Sequence, residues 1–165
     1  MDKYYYLAAQ LPILVFDTEP DISAAAFLHE AEKWLSPPDM AVLRVTKLGN
    51  TDESAPGPGA LRTFIRYEHQ LRTELAEWRL AQRDSLEFKP RLFPATLIQD
   101  NHPLAAEKEL LRLRWNLIAD LQFGHYSDIE FMIFYYLKLQ ILERLQRFDQ
   151  DNGREKFQSY TETGS

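Results

Sequence analysis

The chain has 165 residues, a formal net charge of −6 and 45% hydrophobic residues, values typical of a globular domain with a core of its own. It contains no cysteine, which excludes disulfides, thiolate metal sites and thiol nucleophiles and fits a reducing compartment. The acidic balance argues against a general nucleic-acid binder, because such proteins need a basic face.

The first residues, MDKYYYLAAQLPILVF, are apolar but lack the features of a signal peptide. Lys3 stands beside Asp2, Pro12 interrupts the apolar run, and acidic residues follow directly. A signal peptide needs a basic start, an unbroken apolar core and a small-residue cleavage site. We therefore expect a cytoplasmic protein whose chain opens with a short helix, a strand or an extended arm.

Residues 1–59 are predicted to form an N-terminal arm and short helices that end in a Pro/Gly loop. Ser23 is placed to cap the first clear helix, and the two prolines of SPPD are expected to stop it, with Asp39 as the N-cap of the next short helix. The stretch GNTDESAPGPG, residues 49–59, is typical of a flexible loop. It lacks the lysine and Ser/Thr of a phosphate-binding loop, so we interpret it as a hinge or linker.

Residues 60–151 carry the pattern of the main helical bundle. Apolar residues recur at helical spacing from residue 60 to about 86 and again from 103 to 123, and the proline-rich EFKPRLFPATLIQDNHP connects the two helices. Gly124 is predicted to end the second helix, and the sequence SDIE behind it is predicted to be a capping box for a third. Residues 152–165 are predicted to be a C-terminal tail with a further turn of helix.

The stretch FMIFYYLKLQILERLQRF, residues 131–148, decides the fold class. Its apolar part already contains Lys138, whereas a membrane-spanning helix needs about 20 apolar residues, so we predict no membrane span. In the front half of this helix, apolar residues occupy every side, so we expect this half to be packed on all sides. A solvent stripe on the rear half is predicted from Gln140, Glu143, Arg144 and Arg147. The chain is thus predicted to be one compact all-α domain, an irregular bundle of about five to six helices with a short N-terminal arm.

Known motifs for catalysis and metal binding are missing from the sequence. A di-metal carboxylate bundle needs Glu-x-x-His pairs. No glutamate stands three residues before any of the four histidines, His29, His69, His102 and His125. The motifs G-x-S-x-G and G-x-G-x-x-G are also absent. The sequence therefore predicts no catalytic residue, no metal site and no cofactor, although a carboxylate pair brought together by the fold stays open.

Several residues are candidates for partner contact or for structural anchoring. They are Tyr4, Tyr5, Tyr6, Glu68, Arg72, Trp115, Tyr135 and Tyr136. The three consecutive tyrosines suit a stacking platform or an interface, and equally an aromatic arm packed on the bundle. Glu68 and Arg72 have the spacing of a surface ion pair that supports a helix. If that face turns inward, the same pair would instead fasten the bundle.

Three stretches, YYYLAAQLP, RYEHQLRTELAEWRLAQ and the block from HPLAAEKELL to NGREKF, together resemble a family of small bacterial proteins encoded in V/A-type ATPase operons. Members of that family are similar to the C subunit of V-type ATPases, which is the equivalent of the d subunit in yeast. The resemblance implies a non-catalytic, all-helical protein without a cofactor. A protein of that kind couples the central rotor shaft to the membrane proteolipid ring during ion transport. The implied partners are the central stalk and the ring, and the implied location is peripheral, at the inner face of the membrane.

The leading hypothesis is therefore a rotor-coupling component of a V/A-type ATPase that transports protons or sodium ions. An alternative is a transient assembly factor or adaptor for the same complex, which would leave the finished enzyme. A third hypothesis, from a different class, is a small helical enzyme with a carboxylate site. A deep polar pocket that holds convergent carboxylates would favour the enzyme, and a flat or funnel-shaped apolar surface would count against it.

Overall fold

The structure, a computed structural model, describes residues 3–97 and 103–163, without the side chains of residue 97 and of residues 152–163. The described residues form six α-helices, a short 3-10 turn and no strand, which confirms the predicted all-α fold. The helices are α1 (Lys3–Gln10), α2 (Ala24–Glu32), α3 (Pro37–Val45), α4 (Gly59–Arg83), α5 (Pro103–Gln122) and α6 (Ile129–Thr163), and the turn is Ala95–Leu97. None of the helices within these ranges has the length and apolarity that crossing a bilayer requires.

Helix α6 lies at the centre of the core. Met132, Ile133 and Phe134 are fully buried, so the front half of α6 is enclosed on opposite sides, as predicted. The same apolar cluster contains Leu7 of α1 and Phe27 of α2, together with residues of α3, α4 and α5. Burying side chains of this size contributes about 1.5–3 kcal/mol each, which makes α6 the main apolar contact of the fold.

The rear half of α6 departs from the predicted solvent stripe. Gln140 donates from Nε2 to the carbonyl oxygen of Thr46 (3.0 Å) and accepts from the backbone N–H of Leu48 (2.8 Å). Glu143 accepts from the backbone N–H of Ala24 (2.8 Å). The prediction was wrong for these two side chains, because α2 and α3 pack across α6 and leave helix-end groups that need hydrogen-bond partners.

The ends of the short helices are set by side-chain caps. Ser23 accepts from the N–H of Ala26 (3.0 Å), which confirms it as the N-cap of α2. The cap of α3 is Ser36 and not Asp39, because the two prolines occupy the first turn of α3, where a missing N–H costs nothing. The SPPD sequence, which is predicted to stop α2, therefore also forms the start of α3.

The ends of the two long C-terminal helices differ in detail from the sequence-based bounds. Helix α5 ends at Gln122, and Gly124 follows it with a φ of +87°, as expected for a glycine past a helix end. Asp128, which belongs to the predicted capping box, accepts from the N–H of Phe131 (2.9 Å) at the start of α6. Helix α6 then continues to Thr163 and so includes most of residues 152–165, which are predicted to be a separate C-terminal tail.

Residues 11–19, which we call the N-terminal strap, connect α1 to the turn before α2 without regular structure. The strap contacts both α5 and α6. The Tyr135 hydroxyl donates to the carbonyl oxygen of Pro12 (2.6 Å), the Phe16 ring packs edge-on against Trp115 (5.6 Å between centroids), and Lys108 pairs with Asp17 (2.5 Å). The predicted opening arm is thus a short helix followed by a segment tied to the C-terminal helices.

Candidate interaction surface

The three consecutive tyrosines of α1 have different environments. Tyr4 is half-buried, and its hydroxyl donates to Asp39 (2.5 Å) while it accepts from the backbone N–H of Ser36 (3.1 Å), which ties α1 to the start of α3. Tyr5 and Tyr6 are 61% and 45% exposed, and Tyr6 stacks on Trp34. The tyrosine cluster therefore combines one structural anchor with two rings that face solvent.

Glu68 and Arg72 do not pair with each other. Glu68 is only 2% exposed and binds Arg114 of α5, with 2.5 Å between Oε1 and Nε. Arg72 is exposed and donates to the carbonyl oxygen of Gly49 (3.3 Å). Glu68 is thus a buried fastening point, as one of the two interpretations held, but its partner lies on another helix. Spacing within one helix cannot reveal such a partner.

The aromatic candidates near the strap are packed in the core or at its edge. Trp115 is buried against Phe16, and the ammonium group of Lys138 lies 5.0 Å from its ring centroid. Burial lowers the pKa of Lys138, and burial raises the pKa values of Tyr135 and Tyr136. Trp115 and Tyr135 hold the strap, α5 and α6 together, whereas Tyr136 packs against α2.

Among the side chains that the structure describes from residue 103 onward, the most exposed aromatic ones lie in the turn between α5 and α6. Phe123 is 83% exposed and Tyr126 is 72% exposed, and they flank Gly124 and His125. We call residues 123–126 the aromatic tip. Sequence periodicity missed it, because a residue just past a helix end belongs to no helix face. A phenylalanine and a tyrosine around a helix-ending glycine were the available signal.

The aromatic tip is held in place by hydrogen bonds to Asp128, just before α6, and to the end of α5. His125 Nδ1 lies 2.6 Å from Asp128 Oδ2 and 4.0 Å from Glu130 Oε2. The hydrogen bond to Asp128, with both nearby carboxylates, raises the pKa of His125. The N–H of His125 also donates to the carbonyl oxygen of Gln122 (2.9 Å). A loop anchored in this way presents its aromatic rings at low entropic cost.

The same three side chains are the one metal-ligating group of three among the residues that the structure describes. The ligand atoms of His125, Asp128 and Glu130 lie within 4.8 Å of one another, close enough for a divalent cation. Helix capping and the His125–Asp128 hydrogen bond explain the cluster without an ion. Glu-x-x-His spacing does not reveal this cluster, because both carboxylates follow the histidine in the sequence. His102 lies outside the described residues, and no metal-ligating group is drawn from the other histidines that the structure describes.

A groove with a volume of about 600 Å3 lies between α4 and the connection that follows it. Two carboxylates, Glu74 and Glu77, line it. The Glu74 carboxylate accepts from the backbone N–H groups of Arg91 (2.5 Å) and Leu92 (2.9 Å), so it fixes the connection to α4. An enzyme that used this groove would have one of its two carboxylates already engaged.

A comparison with protein families gives one match. The family model described as "Protein of unknown function (DUF2764)" matches residues 72–163, more than half of the chain. The matched range begins within α4, at residue 72, and includes α5, the aromatic tip and α6. No curated protein and no solved structure matches the chain.

Proposed function

The chain belongs to the DUF2764 family. From its surface we propose that it is a non-catalytic helical protein that acts by binding other proteins. The observation that carries the proposal is the aromatic tip. Phe123 and Tyr126 expose most of their surface in a turn that is hydrogen-bonded in place. Anchored aromatic side chains of this kind dominate the binding energy of protein interfaces.

The polar side chains inside the described core support a structural role. Glu68 binds Arg114, Tyr135 binds the strap, and Glu143 caps the first N–H of α2. Each of these groups is engaged with the protein itself, which gives the bundle rigidity. A protein that transmits force or holds partners in register needs such rigidity.

For the partner, we propose a V/A-type ATPase, in which the chain would take the position of the C subunit between the central stalk and the proteolipid ring. The support is the sequence resemblance, together with an all-helical fold that suits this position. In this proposal the chain lies at the cytoplasmic face of the membrane and reaches the ring through protein contacts, and the chemistry of ATP takes place elsewhere in the complex.

Affinity purification from the native host tests both the proposed partner and the proposed role of the aromatic tip. Tagged wild-type chain should bring down proteins of the central stalk and the ring. The double substitution Phe123→Ser with Tyr126→Ser should release them, because losing two anchors costs about 2 kcal/mol or more each. Leu86→Ser is the matched control, since Leu86 is 64% exposed elsewhere on the surface.

The outcomes separate the hypotheses. Absence of V/A-type ATPase proteins from the wild-type eluate would refute the partner. Retention of those proteins by the tip variant would refute the role of the aromatic tip. Capture of partly assembled complexes alone, with none of the finished enzyme, would identify an assembly factor instead of a permanent component.

A further inference from the structure

The N-terminal strap exposes its side chains with the alternation of a β-strand. Ile13 and Val15 point outward and are 92% and 55% exposed, whereas Leu14 and Phe16 are partly buried against the core. This alternation with a period of two is the pattern of a strand that lies on a core with one face toward solvent. It is unusual in a chain whose described residues contain no sheet.

The backbone of the strap also resembles an open sheet edge. Within the described part of the chain, the N–H groups of Ile13, Leu14 and Val15 have no hydrogen-bond partner. The strap cannot simply slide, because Pro12 is bound by Tyr135 and Asp17 by Lys108. A fixed segment with free backbone donors and outward apolar side chains is a template for pairing with another strand.

An acidic hollow lies at the C-terminal end of the strap. Its volume is about 300 Å3, and Asp17, Glu19 and Asp149 line it together with Leu142 and Leu145. Lys108 neutralises Asp17, which leaves two carboxylates without an ion-pair partner among the described residues. A hollow with a carboxylate rim suits an arginine or lysine side chain, because the aliphatic stem fills the hollow and the cation meets the carboxylates.

We propose that the strap binds an extended segment of another protein by strand pairing. The segment has alternating apolar residues that cover Ile13 and Val15, and basic residues that enter the acidic hollow. Antiparallel pairing is the more stable arrangement, so the basic residues stand at the amino end of the bound segment. The acidic hollow disfavours a second copy of this chain, because the residues after the strap are acidic and the residues before it are helical. The proposal is independent of the V/A-type ATPase assignment.

Two fluorescein-labelled peptides test the proposal by fluorescence anisotropy. Both alternate valine and threonine, and one carries two arginines at its amino end while the other carries them at its carboxyl end. We expect the amino-basic peptide to bind more tightly. Methylation of its backbone nitrogens should abolish binding, because the methyl groups remove the donors that pair the strands.

Surface variants of the full chain complete the test. Ile13→Ser with Val15→Ser should weaken binding by about tenfold or more, since the apolar cover is lost. Val45→Ser is the matched control, because Val45 on α3 is 54% exposed and Val15 is 55% exposed. Glu19→Gln with Asp149→Asn should weaken binding and flatten its dependence on salt.

Equal binding of the two basic peptides, or unchanged binding by the Ile13→Ser/Val15→Ser variant, would overturn the proposal. A dimer in analytical ultracentrifugation that the same variant abolishes would also overturn it, since the strap would then pair with a second copy. Circular dichroism establishes that each variant is folded, and the exposure of both side chains makes unfolding an unexpected result.

Discussion

The buried ion pair between α4 and α5 gives the sharpest prediction. Glu68 is 2% exposed and Arg114 has only 14% of its side chain exposed, and their Oε1 and Nε atoms lie 2.5 Å apart. The substitution Arg114→Ala would leave the Glu68 carboxylate in the interior without its cation. Burying a charge without a partner is costly, because neither water nor a counter-charge compensates for its lost hydration.

The expected loss of stability in Arg114→Ala follows from this burial. Removing one partner of a buried ion pair costs about 3–5 kcal/mol, whereas the whole free energy of unfolding of a domain is about 5–15 kcal/mol. For a chain of this length, each kcal/mol lowers Tm by about 2–4 °C, so Arg114→Ala should lower Tm by roughly 10 °C. Added salt should change this loss little, because the pair is shielded from solvent ions.

Urea unfolding followed by circular dichroism measures the loss, and a double-mutant cycle assigns it to the pair. Glu68→Leu with Arg114→Met removes both charges and should recover most of the stability. The exposed pair of Arg66 and Glu53, at 3.9 Å, is the control, and Glu53→Gln should cost about 1 kcal/mol or less. A loss below about 1 kcal/mol for Arg114→Ala, or no coupling in the cycle, would refute the argument.

Two further predictions concern the strap and the aromatic tip. Tyr135→Phe removes the hydrogen bond to Pro12 and should lower the free energy of unfolding by about 1–2 kcal/mol in urea titrations. The control Tyr136→Phe should leave the free energy of unfolding nearly unchanged. Equal losses for the two variants would contradict the role of the bond to Pro12. His125 has a raised folded pKa from its bond to Asp128, so its contribution to stability is full below the unfolded pKa of about 6.5 and is lost as pH rises through the higher folded value. The pH dependence of Tm should therefore flatten in His125→Gln, and identical curves for the variant and the wild type would contradict it.

Much of the fold follows from local pattern. The helical spacing of apolar residues predicts α4, α5 and α6, the cap at Ser23 predicts the start of α2, and Gly124 marks the end of α5. Apolar residues occupy opposite sides of the front half of α6. This pattern predicts that the front half is buried on all sides, which the structure confirms. These features depend on residues within one or two helical turns, so the sequence shows them directly.

The candidate surfaces depend on which helices meet. The aromatic tip becomes a fixed surface only because His125 reaches Asp128 across the turn. The strap becomes a strand-like edge only because Tyr135 and Lys108 hold it on α5 and α6. The contacts of the strap have no sequence signal, since the strap and its anchors lie far apart along the chain.

The sequence by itself determined the all-α class, the order and approximate bounds of α2 to α5, and the start and central place of α6, whereas it left α1 open and ended α6 too early. Periodicity and capping are local, and they specify each helix and its apolar face without reference to its neighbours. Only the tertiary structure decided the partners of polar groups: Glu68 with Arg114 instead of Arg72, and Gln140 and Glu143 with helix ends instead of solvent. A polar side chain on a helix can face water or a buried helix end at the same spacing, and the packing of the neighbouring helices chooses between them.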